Sequence, residues 1–236
     1  MRRLLAAVLC FTLLFNSCDE LQEVVNQLPQ TEGVLSSTDI AAGLREALDV
    51  GIDKQVTKLT QEDGFFKNEL VKIVLPEELQ KVDSGLRKIG LGSLADEGLK
   101  VLNRAAEDAV KEATPIFVSA VSDITFDDAK NILLGEDNAA TSYLTTKTET
   151  ALYAKFKPVI ENSFSKVGAD QIWSNLITKY NNIPLTNNVN PDLTDYVTTE
   201  ALKGVYTMIA VEEKEIRTKV SSRGSDLLKK VFALQD

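Results

Sequence analysis

The stretch GSLADEGLKVLNRAAEDAVKEATPIFVSAVSDI, residues 92–124, sets Ala95, Leu99, Leu102, Ala106, Ala109, Ala113, Ile116, Ala120 and Ile124 at spacings of three and four. That period of about 3.6 residues is one face of a helix. Ser93 with Asp96 three residues on resembles a capping box at its start. Most of the stripe is alanine, which lets neighbouring helices approach closely. We therefore expect this helix at the centre of an all-α, multi-helix, single-domain bundle, kinked by Pro115, whose ring removes a backbone donor.

The same spacing extends outward. Upstream, Ile40, Leu44, Leu48, Ile52, Val56 and Leu59 form an amphipathic helix that Asp63-Gly64 breaks. Phe65 to Pro76 reads as a short strand or a helical turn, and Glu77 to Ile89 as a helix ended by Gly90 and Gly92. Downstream, Thr125-Phe126-Asp127-Asp128 opens a short helix closed by Gly135. A helix from Thr141 to Val167 turns Leu152, Phe156, Ile160 and Phe164 inward and bends at Pro158. Asp170 is placed as the cap of a helix carrying Ile172, Trp173, Leu176, Ile177 and Tyr180. Asn181 to Pro191 is a loop. Asp192 caps a long helix to about Val220, and Ser222 to Leu234 forms the last.

The N-terminus has a different character. Arg2 and Arg3 precede an apolar run from Leu4 to Phe15 that ends in Asn16-Ser17-Cys18. A bilayer-crossing helix needs roughly 20 apolar residues, so this shorter run reads as an export signal over residues 1–17, cleaved to leave Cys18 first. Leu14 to Cys18 resembles a lipobox, in which the cysteine is acylated through sulfur. Cys10 departs with the signal, so Cys18 would be the mature chain's one cysteine, and a lone thiol in an oxidising compartment is a liability that acylation removes. Residues 18–37 read as a tether and 38–236 as the helical domain. We expect a lipid-anchored protein of the bacterial envelope whose membrane partner is reached through the lipid on Cys18.

Composition narrows the chemistry. Loss of Arg2 and Arg3 lowers the basic count from 26 to 24 against 35 acids, moving the net charge from −9 to −11. Such a surface repels nucleic acid, and no nucleic-acid partner is expected. The chain has no histidine. Without histidine or a usable thiol there is no Ser-His-Asp or Cys-His nucleophile system, no His-ligated zinc or haem and no thiolate cluster. Phosphate-cradling glycine loops, EF-hand loops and nucleophile elbows are also missing, and neither a metal nor a cofactor is implied.

Several short strings carry a resemblance. Gly43-Leu44-Arg45-Glu46-Ala47-Leu48, Asp63-Gly64-Phe65, Leu75-Pro76, Leu102-Asn103-Arg104-Ala105-Ala106-Glu107, Asp127-Asp128-Ala129, Ile132-Leu133-Leu134-Gly135, Ala139-Ala140-Thr141-Ser142-Tyr143, Tyr196-Val197-Thr198, and Glu213 through Ile216-Arg217 to Arg223 occur in that order. Together they resemble the bacterial domain of unknown function 4197 over roughly Thr38 to Phe232. The resemblance implies an exported, often lipid-anchored helical domain with no established activity.

Polar residues within those strings form the candidate site. Asn103 and Glu107 lie one turn apart beside the alanine stripe, and Glu213 falls on an apolar face between Ile209 and Ile216 with Arg217 at i+4. A buried carboxylate needs a partner. One reading pairs Glu107 and Glu213 with Arg45, Arg104, Arg217 or Arg223 to fix helix register. The other has them line a cleft with Asp127, Asp128, Thr141 and Tyr143. The missing catalytic residue types favour a non-catalytic protein that binds an envelope ligand or protein. The alternative, a carboxylate-dependent hydrolase acting on an envelope component, requires two acids facing each other across an open cleft.

Overall fold

The computed structural model describes residues 35–77, 80, 84, 87, 88, 90, 92–182, 184 and 188–234. The expected leader, Cys18, all but residues 35–37 of the expected tether and most of the helix expected over 77–89 lie outside them, as do the side chains of Leu94, Ala95, Leu176 and Tyr180. A compact unit begins at Ser37. Among the described residues there are eight α-helices and no strand. They are α1 (Ser37–Thr60), α2 (Gly92–Val110), α3 (Ala113–Ser122), α4 (Phe126–Leu133), α5 (Ala139–Ser165), α6 (Ala169–Asn181), α7 (Leu193–Thr218) and α8 (Asp226–Phe232), with a 3-10 turn at Val220–Ser222.

Each long helix buries the face its sequence marks. In α5, Ala140, Leu144, Thr148, Leu152, Phe156, Ile160 and Phe164 are buried, one every four residues. In α1 the buried row is Leu44, Leu48, Ile52, Val56 and Leu59. More than half of α7 is buried, because it packs against α1, α2, α5 and α6. The alanine-rich α2 lies against α1, α5 and α7, with Ala105, Ala106, Ala109 and Val110 wholly enclosed.

Several local expectations change. Residues 92–124 form two helices, not one bent helix, and the break falls at Lys111 and Glu112. Pro115 has no N–H for the Lys111 carbonyl and its ring crowds that carbonyl, so the helix stops there and Pro115 sits in the first turn of the next, where proline is tolerated. The segment after α1 is a series of turns without a strand. Asp63 takes a positive φ of 67°, and a Cβ on Gly64 would come within 2.5 Å of the Lys58 and Leu59 carbonyls. Only glycine fits that reversal. Asp170 lies inside the first turn of α6 and does not cap it. Ile172 faces solvent, whereas Trp173 and Ile177 are buried.

Close packing depends on Gly204, where a Cβ would come within 2.7 Å of the fully buried Phe65 ring. Gly98 lies on an exposed helical face with nothing within 4 Å of the same position. Overpacking a filled core costs about 1–3 kcal/mol, and Gly→Ala in an exposed helix gains up to about 1 kcal/mol. Gly204→Ala should therefore lower the melting temperature by several degrees while Gly98→Ala raises it by about 2–4 °C. Differential scanning calorimetry of both variants checks the opposite signs.

Candidate functional site

The residues singled out in the sequence fall into separate groups, each turned toward backbone. Glu213 and Arg217 are buried one turn apart on α7. Glu213 accepts from the Ala140 N–H at 2.9 Å and the Thr141 N–H at 2.8 Å, and from the Thr141 hydroxyl at 2.7 Å. Ala140 and Thr141 are the second and third residues of α5, whose own cap, Asn138, makes no side-chain cap bond. A cap oxygen ordinarily serves those two amides. Glu213 supplies it from another helix, and its charge suits the positive end of the α5 dipole.

Arg217 donates to Glu213 through Nε at 3.0 Å and Nη2 at 2.8 Å. Its guanidinium also donates to the Ile132 carbonyl at 2.8 Å and the Leu133 carbonyl at 3.2 Å, the last carbonyls of α4. Arg223 closes α7 in the same way, donating to the carbonyls of Ile216 and Arg217, both at 3.0 Å. Arg45 reaches from α1 to the Ile124 carbonyl just beyond α3. Cations at helix C-termini are favoured by the dipole.

A second group holds the turns after α1. Glu107 accepts from the Phe65 N–H at 3.1 Å and from Arg104 Nη1 at 2.6 Å. Arg104 also bridges to Asp63 at 2.7 Å and Glu62 at 2.8 Å. Asn103 reads both backbone groups of Ile73, accepting its N–H and donating to its carbonyl, each at 2.8 Å. That amide pair does for the Ile73 backbone what a neighbouring strand would do. Phe65 meets α7 at Gly204, nine residues before Glu213, or about 13 Å at 1.5 Å per residue. Glu107 and Glu213 thus serve different places along α7, and no residue bonds to both.

The remaining candidates lie at the surface. Asp128 forms a capping box with Thr125, and hydrogen bonds from the Thr125 hydroxyl and N–H hold its carboxyl below the usual range. Asp127 is exposed in the same turn. Tyr143 is half-buried near them; burial, then the charges of Asp128 and Asp123, push its phenol up. The shared cleft of the second reading, Glu107 and Glu213 with Asp127, Asp128, Thr141 and Tyr143, is not assembled. Of these, only Thr141 bonds to Glu213.

An open cleft lined by carboxylates lies elsewhere. A depression of about 430 Å³ is lined by Lys157 and Glu161 of α5, Asp170 and Ser174 of α6, and Pro191 to Thr194 at the start of α7. Burial, then the neighbouring Asp192 and Glu161 charges, raise the Asp170 carboxyl, while the Thr194 hydroxyl donates to it at 3.0 Å. Beside the cleft, Tyr153 donates to Asp195, which keeps its phenol protonated. Both Asp170 and Asp192 had looked like helix caps in sequence, and nothing in their spacing announced that α5 would bring Glu161 to them. A larger groove of about 530 Å³ runs between α3 and α5, with Glu112 and Asp123 on one wall, Lys147 and Lys155 on the other and Pro115, Ile116 and Ala151 between. Among the described residues no group of three or more carboxylates could hold a metal ion, and no helix is long and apolar enough to cross a membrane.

Residues 34–233 match the family described as Protein of unknown function (DUF4197). The chain belongs to this family. The match covers the whole described helical unit of this DUF4197 protein, including every candidate residue except Cys18. No curated protein and no solved structure matches it.

The geometry makes Glu213 a structural cap. Glu213→Gln keeps the shape but aims an N–H₂ at a donor and leaves Arg217 buried without its counter-charge. Breaking such a pair costs about 3–5 kcal/mol. Thermal denaturation should show a fall of roughly 6–20 °C for a domain of this size, and a variant melting with the parent would refute the assignment.

Proposed function

We propose that this DUF4197 protein is a lipid-anchored component of the bacterial envelope that binds a ligand or protein partner without catalysing a reaction. The observation that carries the non-catalytic half is the fate of its buried carboxylates. Glu213 receives donors on both oxygens from Ala140, Thr141 and Arg217, and Glu107 receives them from Phe65 and Arg104. Groups so engaged serve the fold and are poorly placed to accept a substrate proton. The outer groove between α3 and α5 offers both charge signs around an apolar floor, which suits recognition of a polypeptide surface. The anchor is supported by the leader and by Cys18 standing alone in the mature sequence.

A second reading, a carboxylate-dependent hydrolase, has one observation in its favour. Asp170, whose carboxyl burial pushes up, shares an open cleft with Asp192 and Glu161, and such a hydrolase requires two acids across an open cleft. In this reading Asp170→Asn and Asp192→Asn would each abolish turnover of an envelope glycan. In the binding reading neither matters to partner capture, and Lys147→Glu with Lys155→Glu, reversing one wall of the α3–α5 groove, lowers capture at least tenfold.

The anchor is tested in cells. A clickable fatty acid should label the protein, and Cys18→Ala should lose the label and move the domain to the soluble fraction. Label retained by that variant would overturn the lipid assignment.

A further inference from the structure

The groove between α3 and α5 is walled by two rows of opposite charge. Glu112 and Asp123 flank α3 as its N-cap and C-cap, and Lys147 and Lys155 stand two turns apart on α5. All four are exposed, and among the described residues none of them forms an ion pair; Lys147 lies 5.5 Å over the Tyr143 ring. Asp123 sits at the negative end of the α3 dipole, where a carboxylate is disfavoured and a cation brought to it gains most.

The two rows are in register. α3 and α5 both touch Tyr206 near their middles, where the Phe117 ring meets it edge-on at 6.1 Å and the Thr148 hydroxyl is 2.7 Å from its own. Farther on, Asp123 is near enough to Tyr143 for its charge to act on the phenol. Going forward on α3 from Phe117 to Asp123 therefore means going back on α5 from Thr148 to Tyr143, and the helices run antiparallel. Asp123 is level with Lys147, and Glu112 with Lys155. Each end of the groove carries one acid and one lysine on facing walls.

We propose that the polypeptide surface recognised by this groove is the same groove of a second copy, so that the protein pairs with itself face to face; this rests on the groove being a polypeptide site. A twofold axis running along the groove, between the two faces, sets α3 of one copy over α5 of the other at the same level. Glu112 then meets Lys155 of the second copy and Asp123 meets Lys147, each contact made twice, as a self-complementary interface requires. The apolar floor of Pro115, Ile116 and Ala151 is covered between them. An axis across the groove would instead set α3 on α3 with its ends exchanged, placing Glu112 on Asp123 and Lys147 on Lys155, and like charges reject that pairing. The charge pattern thus selects one arrangement. The face is small: α3 has ten residues, about 15 Å of helix, and two helices side by side are about 20 Å wide. At about 300 Å² a copy, the contact falls below the roughly 1,200 Å² total of stable complexes. The association is weak, salt-sensitive and concentration-dependent.

Sedimentation velocity of the full chain, carrying Cys18→Ala so that no lipid drives association, tests this at tens to hundreds of micromolar. The parent should move from monomer toward dimer as concentration rises and return to monomer toward about 1 M salt, where the Debye length is about 3 Å. Lys147→Glu with Lys155→Glu makes both rows acidic, and Glu112→Lys with Asp123→Lys makes both basic. Each pair of changes should lower the association constant at least about tenfold. Mixed together, the two variants should pair at least as well as the parent, because every contact then joins opposite charges. A parent that stays monomeric, a dimer indifferent to both reversals, or reversed variants that fail to pair when mixed overturns the proposal. Should either double variant lose its helical circular dichroism, Lys155→Glu mixed with Glu112→Lys repeats the exchange. A monomeric parent whose capture of an envelope polypeptide still falls on reversal of the α5 wall overturns the second copy alone and leaves the groove reading standing.

Discussion

Three helices share one carboxylate. Glu213 projects from α7, holds the opening amides of α5 and anchors Arg217, whose guanidinium takes the closing carbonyls of α4. The connection from α4 to α5 spans only residues 134–138, so two helix ends meet inside the protein with neither able to satisfy itself. Every helix leaves four amides and four carbonyls without intrahelical partners, and burying them unpaired is costly. A carboxylate and a guanidinium one turn apart match those two ends in hydrogen-bonding type and in dipole sign. Desolvating the pair is offset because nearly all of its polar capacity is used.

The same device recurs through the fold. Arg223 ends α7, Arg45 meets the chain beyond α3, and Glu107 and Asn103 hold the turns between α1 and the undescribed part of residues 77–91. Each long-range bond substitutes a side chain for a missing backbone neighbour, so the helices are locked in register by polar groups and packed by small ones. Alanine on α2 and Gly204 on α7 bring backbones close enough for those reaches to work. Polar satisfaction and close packing are consequently one constraint here.

A partly open cavity between α1 and α7, about 30 Å³ and lined chiefly by apolar groups, is too small for an organic ligand by comparison with the 150 Å³ or so that admits benzene. On the proposed binding reading, recognition falls on the outer grooves, one of which α6 borders. If the chain is tethered at one end and binds a partner as proposed, it would meet that partner through shallow surfaces of mixed charge, where specificity comes from the pattern of charges and not from depth.

How legible all this was depended on the range of the interaction. The buried rows of α1 and α5, the stop at Asp63-Gly64 and the capping box at Thr125 and Asp128 could be read directly, because each rests on residues within a turn or two of one another. The oddity of Glu213 beside Ile209 and Ile216 was visible as well, along with its i+4 arginine. What that carboxylate does was not, since Ala140 and Thr141 are more than seventy residues away in the chain. Nor could spacing bring Glu161 to Asp170 and Asp192. By itself the sequence determined the helices, their apolar faces and the need for buried polar partners, because periodicity and capping are local. Only the tertiary structure decided which helix end each polar group would serve and where acids would crowd, because those choices follow from how the helices cross.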